Sequence, residues 1–210
     1  MTTIPLVTLD ETTHVYTHRD GHRPPSVTAI LGSVPPWSQR FDRADPADLE
    51  RKGAIGRAVH LACEYFDQGV LDWGSLDPAV QPYVDGWILF CQEKRVEVLE
   101  VEQKVYHPIY GYAGTLDRIL RADCHRGRGL ALVDLKTGDA TMAGPQTAAY
   151  LHAWHAMRDE SGSPIDAPVE RWSVQLLPTG RYAITEHTDR RDWRLFLAAF
   201  ELYTYARSVK

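Results

Sequence analysis

Asp117 and Asp134 each sit inside a short apolar run, GTLDRIL and LALVDLK, and Lys136 follows the second acid by two residues. Burying carboxylates and an ammonium among apolar neighbours is costly unless something compensates. In an extended strand the period of two sets Asp134 and Lys136 side by side, and hairpin pairing of the two runs brings Asp117 next to them. Two carboxylates held together repel unless a cation lies between them, and hard oxygen donors suit Mg²⁺ or Mn²⁺. A lysine beside such an ion orients an attacking water and offsets charge building on a phosphoryl oxygen. An Asp-x-Lys step is also an ordinary surface ion pair at a strand end, so the spacing alone leaves both readings open.

The surrounding elements must hold these groups in place. In YAGTLDRILRAD the alternation groups Thr115, Asp117 and Ile119 on one face and Leu116, Arg118 and Leu120 on the other. The polar turn DCHRGRG makes the two runs a hairpin. In the second run Leu130, Leu132, Asp134 and Lys136 oppose Ala131, Val133 and Leu135, and apolar residues on both faces predict a central strand. A helix follows Pro145 to about Arg158 and carries Gln146 and Tyr150 one turn apart. Upstream, residues 96–106 alternate as a strand, with Val101, Gln103 and Val105 facing away from Glu100, Glu102 and Lys104.

A helix from Pro46 to about Gln68 shows Ile55, Val59, Ala62 and Phe66 as a buried stripe, while Gly56, His60 and Glu64 share another face. A second helix is expected over 78–95, with Pro82 in its first turn. At the N-terminus, HVYTHRDGHRPPSV reads as a hairpin turning at Asp20-Gly21, and Ser26 as the cap of a short helix, VTAIL. The C-terminal part reads as a hairpin turning at Pro178-Thr179-Gly180 and a helix from Asp189. This order predicts an α/β (α+β) domain, a mixed central sheet flanked by helices, formed by residues 1–210 as one unit.

Composition narrows the setting. With 44% hydrophobic and 24% charged residues, the chain reads as a soluble globular protein. A formal net charge of -5 excludes a global basic field, so any polyanionic partner must meet a local patch or bound cations. Arg118, Arg121, Arg126, Arg128 and Lys104 are the candidates for that patch. Cys63, Cys91 and Cys124 fit neither a disulfide framework nor a CxxC metal site. No signal peptide or membrane span is apparent, which gives a cytoplasmic expectation.

The ordered set GYAGTLDRI, ALVDLKTG and QTAAY, preceded by GRAVHLACE as a GxxxHxxxE helix, resembles the core of the PD-(D/E)XK phosphodiesterase superfamily. Within it, the RecB-type and phage exonuclease branch is the nearer match, over about residues 53–150. The resemblance implies a restriction-endonuclease-like core and a Mg²⁺- or Mn²⁺-dependent DNA nuclease. Asp117 and Asp134 would be the metal-binding acids, joined by His60 and the Leu135 carbonyl, and Lys136 the catalytic lysine. Gln146 and Tyr150 resemble the helix motif that supports the site and contacts the DNA strand. Glu64 and Glu102 are auxiliary acids, and Arg118, Arg126 and Arg128 candidate DNA contacts.

The branch implies an exonuclease on linear DNA ends in recombination, repair or phage DNA processing, in a bacterial cell or phage-infected host. Its alternatives are a structure-specific endonuclease and a non-catalytic nucleic-acid-binding relative. No GxxxxGK[ST] occurs, so a helicase or single-strand annealing partner would be a separate chain, and an oligomer is compatible with the branch. Three scattered cysteines cannot hold the four-cysteine cluster found in some members. No nucleophile elbow such as GxSxG supports a serine hydrolase. His14, His18, His22, His152 and His155 read as structural, since no carboxylate accompanies the first three and the last two fit a polar helix surface. Trp37 and Tyr112 could stack on bases, but packing is the expectation for most aromatics.

Overall fold

Alternating strands and amphipathic helices assemble, in the computed structural model, into a five-stranded mixed sheet with helices on both faces. The structure describes residues 6–39, 45–125, 127–140, 142–162 and 167–209. A short hairpin, β1 (Val7–Asp10) and β2 (Val15–His18), precedes helix α1 (Val27–Gly32) and a single 3₁₀ turn at Trp37–Gln39. Helices α2 (Pro46–Asp67) and α3 (Gln81–Glu93) lead into β3 (Glu97–His107), β4 (Tyr112–Cys124) and β5 (Gly127–Lys136). Helix α4 (Gly144–Glu160) crosses to β6 (Val169–Leu176), and β7 (Tyr182–Glu186) and α5 (Arg191–Ser208) follow.

The sheet order is β3-β4-β5-β6-β7, antiparallel except for the β5–β6 pair. That parallel pair needs a crossover, which α4 supplies. Strand β5 is central, as its two apolar faces require: Ala131, Val133 and Leu135 pack with Val59, Trp87, Phe90 and Trp172 on the α2/α3 side. Leu132 joins Leu116, Ile119, Tyr150, Trp154 and Phe196 on the side of α1, α4 and α5. Ser26 caps α1 by accepting from the Ala29 N–H at 3.0 Å, and Asp45 caps α2 by accepting from Ala47 at 2.8 Å. No helix among the described residues is long and apolar enough to cross a membrane.

Three local expectations change. The N-terminal hairpin turns at residues 11–14, not at Asp20-Gly21. There Asp10 accepts backbone N–H bonds from Thr12 and Thr13, and His14 takes φ 56°. An aspartate side chain closing its own turn competes well with a Gly-based turn. Secondly, strict alternation fails in β4: Leu116 and Ile119 pack in one core while Leu120 and Ala122 pack in the other. Thirdly, β3 carries a bulge between Val98 and Glu100, and Glu102 adopts φ 47°. Glu100 therefore faces α4, where Trp154 Nε1 donates to it at 2.9 Å, while Glu102 receives Arg118 Nη1 at 3.2 Å. One slipped residue moves a side chain to the other face.

Candidate active site

The site forms where β4 and β5 part. Their ladder runs from Cys124↔Gly127 to Arg118↔Val133 and stops one pair short of the acids. The next backbone donor, Leu135 N–H, bonds instead to Asp117 Oδ2 at 2.6 Å. A side-chain carboxylate thus replaces a ladder carbonyl, which keeps the amide satisfied and fixes the aspartate.

Helix α2 delivers His60 to this opening. A Cβ at Gly56 would lie 3.4 Å from Thr137 Oγ1, so the helix passes close to the end of β5. His60 Nε2 lies 3.1 Å from the Leu135 carbonyl oxygen. A carbonyl can only accept, so Nε2 carries the proton, and in the neutral ring Nδ1 keeps a lone pair. Nδ1 faces Asp117 Oδ1 at 3.8 Å and Glu102 Oε1 at 4.0 Å. One nitrogen and two carboxylate oxygens thus converge within 4.8 Å of one another. Burial, then the charge of Asp117, pushes the Glu102 carboxyl up to about 7. Its left-handed backbone, between the Val101↔Arg118 and Gln103↔Leu116 pairs of β3 and β4, is the kind of strain that surrounding structure must over-determine.

The second acid heads a neighbouring cluster. Asp134 is 2% exposed and receives Lys136 Nζ on both oxygens, at 2.9 and 2.8 Å. Gln146 Nε2 donates to Asp134 Oδ1 at 3.3 Å and to the Tyr150 hydroxyl at 3.2 Å. Ser173 Oγ donates to Asp134 Oδ2 at 3.2 Å and lies 2.9 Å from His187 Nε2. Burial raises the Asp134 carboxyl, Lys136 opposes that, and Asp117 adds to it. Burial also raises Tyr150, next to the negative Asp134.

The residues fit a divalent ion by their donor chemistry and spacing. Octahedral bonds of about 2.1 Å place neighbouring ligand atoms about 3.0 Å apart and opposite ones about 4.2 Å apart. The His60–Asp117 and His60–Glu102 separations fall in that interval. Two carboxylates suit Mg²⁺ or Mn²⁺, and the imidazole weights the set toward Mn²⁺.

Several expected placements change. Glu102, expected as an auxiliary acid, stands in the nitrogen–carboxylate group, while Asp134 stands with Lys136. The Leu135 carbonyl, expected as a metal ligand, accepts from His60 and so orients that ring. Glu64 accepts from Gln68 Nε2 at 3.0 Å and is absent from the group. Arg118 is fully buried, with Nε 2.6 Å from Asp67 Oδ2, and cannot be a DNA contact. Arg128 sits at the far end of β5, about 20 Å from Asp134 at ~3.3 Å per residue, and donates to the Arg95 carbonyl at 2.7 Å. Arg126 lies outside the described residues. Tyr112 is buried and donates to the Ala149 carbonyl at 2.9 Å, so it packs instead of stacking on bases. His152 stacks on Trp193 with centroids 3.9 Å apart.

Sequence reasoning missed Asp67, Ser173 and His187. Ser173 lies beside Asp134 through the parallel β5–β6 register, and no local pattern announces such a pairing. Asp67 ends α2 and also accepts from Trp87 Nε1 at 2.8 Å; an acid at the end of an apolar helical stripe was its only signal.

No family model matches this chain, and no curated protein matches it. Among solved structures, it is similar to one described as the crystal structure of LHK-Exo in complex with dAMP, at 12% identity and a TM-score of 0.38. That match covers 89% of this chain and 88% of the other.

Proposed function

We propose that this chain is a metal-dependent deoxyribonuclease that hydrolyses phosphodiester bonds. The single observation that carries the reading is the His60 Nδ1 lone pair facing Asp117 and Glu102, next to the Lys136–Asp134 pair. Three electron-rich atoms turned toward one another repel unless a cation or proton joins them. The motif resemblance on Asp117, Asp134, Lys136, Gln146 and Tyr150 supports the same reading.

His60, Asp117 and Glu102 would hold Mg²⁺ or Mn²⁺, with Asp134 adjacent. The bound ion supplies Lewis acidity and lowers the pKa of a coordinated water. Lys136 orients the water and offsets the negative charge that builds on the phosphoryl oxygens. Asp134 holds Lys136 in place, and Gln146, Tyr150 and Ser173 fix Asp134 through their hydrogen bonds. The Leu135 carbonyl keeps the proton on His60 Nε2. Phosphate contacts fall to exposed cations near the opening, of which Arg57, one turn before His60 on α2, is well placed.

Exonuclease action on linear DNA ends, in recombination, repair or phage DNA processing, is the preferred form. The test incubates end-labelled linear and closed circular DNA with Mg²⁺, Mn²⁺ or EDTA. Degradation of the linear substrate alone, abolished by EDTA, is expected. Cleavage of the circle would redirect the reading to an endonuclease. Retention of DNA without any cleavage, in every metal, would replace it with a binding module.

A further inference from the structure

His18 and His22 read as structural for want of an accompanying carboxylate, but the turn after β2 brings Asp20 to them. His18 Nδ1 lies 2.9 Å from Asp20 Oδ1, and His22 Nδ1 lies 2.6 Å from the same oxygen. The three donor atoms lie within 4.8 Å of one another, which makes a second potential metal-ligand group besides that of His60. Gly21 at φ 92° permits the tight fold that returns His22 toward Asp20.

Support from outside this loop orients the rings. Tyr106 on β3 has its hydroxyl 3.4 Å from His22 Nε2, and its ring lies 4.6 Å from that of His18 and 5.7 Å from that of His22, centroid to centroid. The Asp20 carboxylate can only accept, so without an ion each Nδ1 donates its proton to Oδ1. A cation would replace those protons, and His22 Nε2 would then carry its proton toward the Tyr106 hydroxyl. Such a partner on the distal nitrogen is what metal-binding histidines ordinarily have.

We propose that His18 Nδ1, His22 Nδ1 and Asp20 Oδ1 form a second divalent-cation site, for a borderline ion of the Zn²⁺ type, which braces the turn between β2 and Pro25. Two imidazoles and one carboxylate suit Zn²⁺ better than Mg²⁺. Asp20 and His22 are 60% and 43% exposed at their side chains, so ions reach the site and water completes the coordination. The hairpin matters to the opening between β4 and β5. The Tyr16 hydroxyl shares a 2.8 Å hydrogen bond with Thr115 Oγ1, two residues from Asp117, and the Pro25 carbonyl accepts from Ala113 N–H at 2.9 Å. A cation bridging residues 18–22 therefore steadies the loop leading to Pro25.

The test uses untagged full-length protein with His60→Gln and Asp117→Ala, so that the His60 group cannot bind the probe. Equilibrium dialysis with Zn²⁺ and visible absorption of the Co²⁺ form read the site directly, whatever the activity. One Zn²⁺ per chain is expected, with affinity falling more than about tenfold on adding His22→Gln or Asp20→Asn. Zn²⁺ should raise the thermal midpoint of the parent and leave that of either variant unchanged. Asp20→Asn changes an exposed side chain without altering its shape, so it keeps the test valid if His22→Gln fails to fold. No Zn²⁺ bound by the parent, or equal affinity in Asp20→Asn, overturns the proposal.

Discussion

Replacing Arg118 by Met should destabilise the fold more than any other single change near the site. The guanidinium is fully buried and its partner Asp67 is 1% exposed at the side chain, with Nε and Oδ2 2.6 Å apart. Nη1 also donates to Glu102 at 3.2 Å and to the Asp117 carbonyl at 2.7 Å. Removing one partner of a buried pair leaves an uncompensated charge and costs about 3–5 kcal/mol. Asp67 already carries a raised pKa from burial, opposed by Arg118. Replacing both charges by apolar groups, Arg118→Met with Asp67→Leu, should recover much of the loss, because neither desolvation penalty remains. Urea unfolding of the parent, both single variants and the double variant gives the full cycle. The double variant should be more stable than Arg118→Met alone. A single-variant cost below about 1 kcal/mol, or a double variant less stable than both singles, would refute the assignment of Arg118 to the interior.

Other consequences follow from neighbouring contacts. Glu102, held near 7 against an ordinary value of 4.5, keeps more protons in the folded chain than in the unfolded chain between those values. Stability in EDTA should therefore fall as pH rises from about 4.5 to about 7, and Glu102→Gln should flatten that fall in urea midpoints. A Cβ at Gly114 would meet Tyr150 Cε1 at 2.5 Å, so Gly114→Ala should cost about 1–3 kcal/mol by thermal unfolding and reduce cleavage by displacing Tyr150. Arg57→Ala should weaken DNA binding alike for all sequences and lower the slope of log affinity against log salt by about one, read in filter binding under EDTA.

What the sequence disclosed and what it withheld divide along a physical line. Strand β5 was legible because its period of two and its apolar faces are local properties, and they correctly set Asp134 beside Lys136. The helix spacing of Gln146 and Tyr150 was legible for the same reason, and the two side chains do bond. Glu102 was misplaced because the β3 bulge and its φ of 47° depend on pairing with β4, which no single-strand pattern encodes. Arg118 read as surface charge because its compensating acid, Asp67, is 51 residues away. Ser173 entered only through the register of a parallel pair. The turn at Asp10 was overlooked because Asp20-Gly21 presents the stronger dipeptide signal, although Gly21 serves a different turn.

Single-turnover cleavage of linear duplex DNA by Lys136→Met, beside the parent in Mn²⁺, tests most directly whether this cluster performs the chemistry. Met keeps the length of the side chain and removes the charge that meets Asp134. The predicted result is a fall in the cleavage rate of more than about 100-fold, with DNA binding and far-UV circular dichroism unchanged. Parent-level cleavage by a folded Lys136→Met chain would contradict the account.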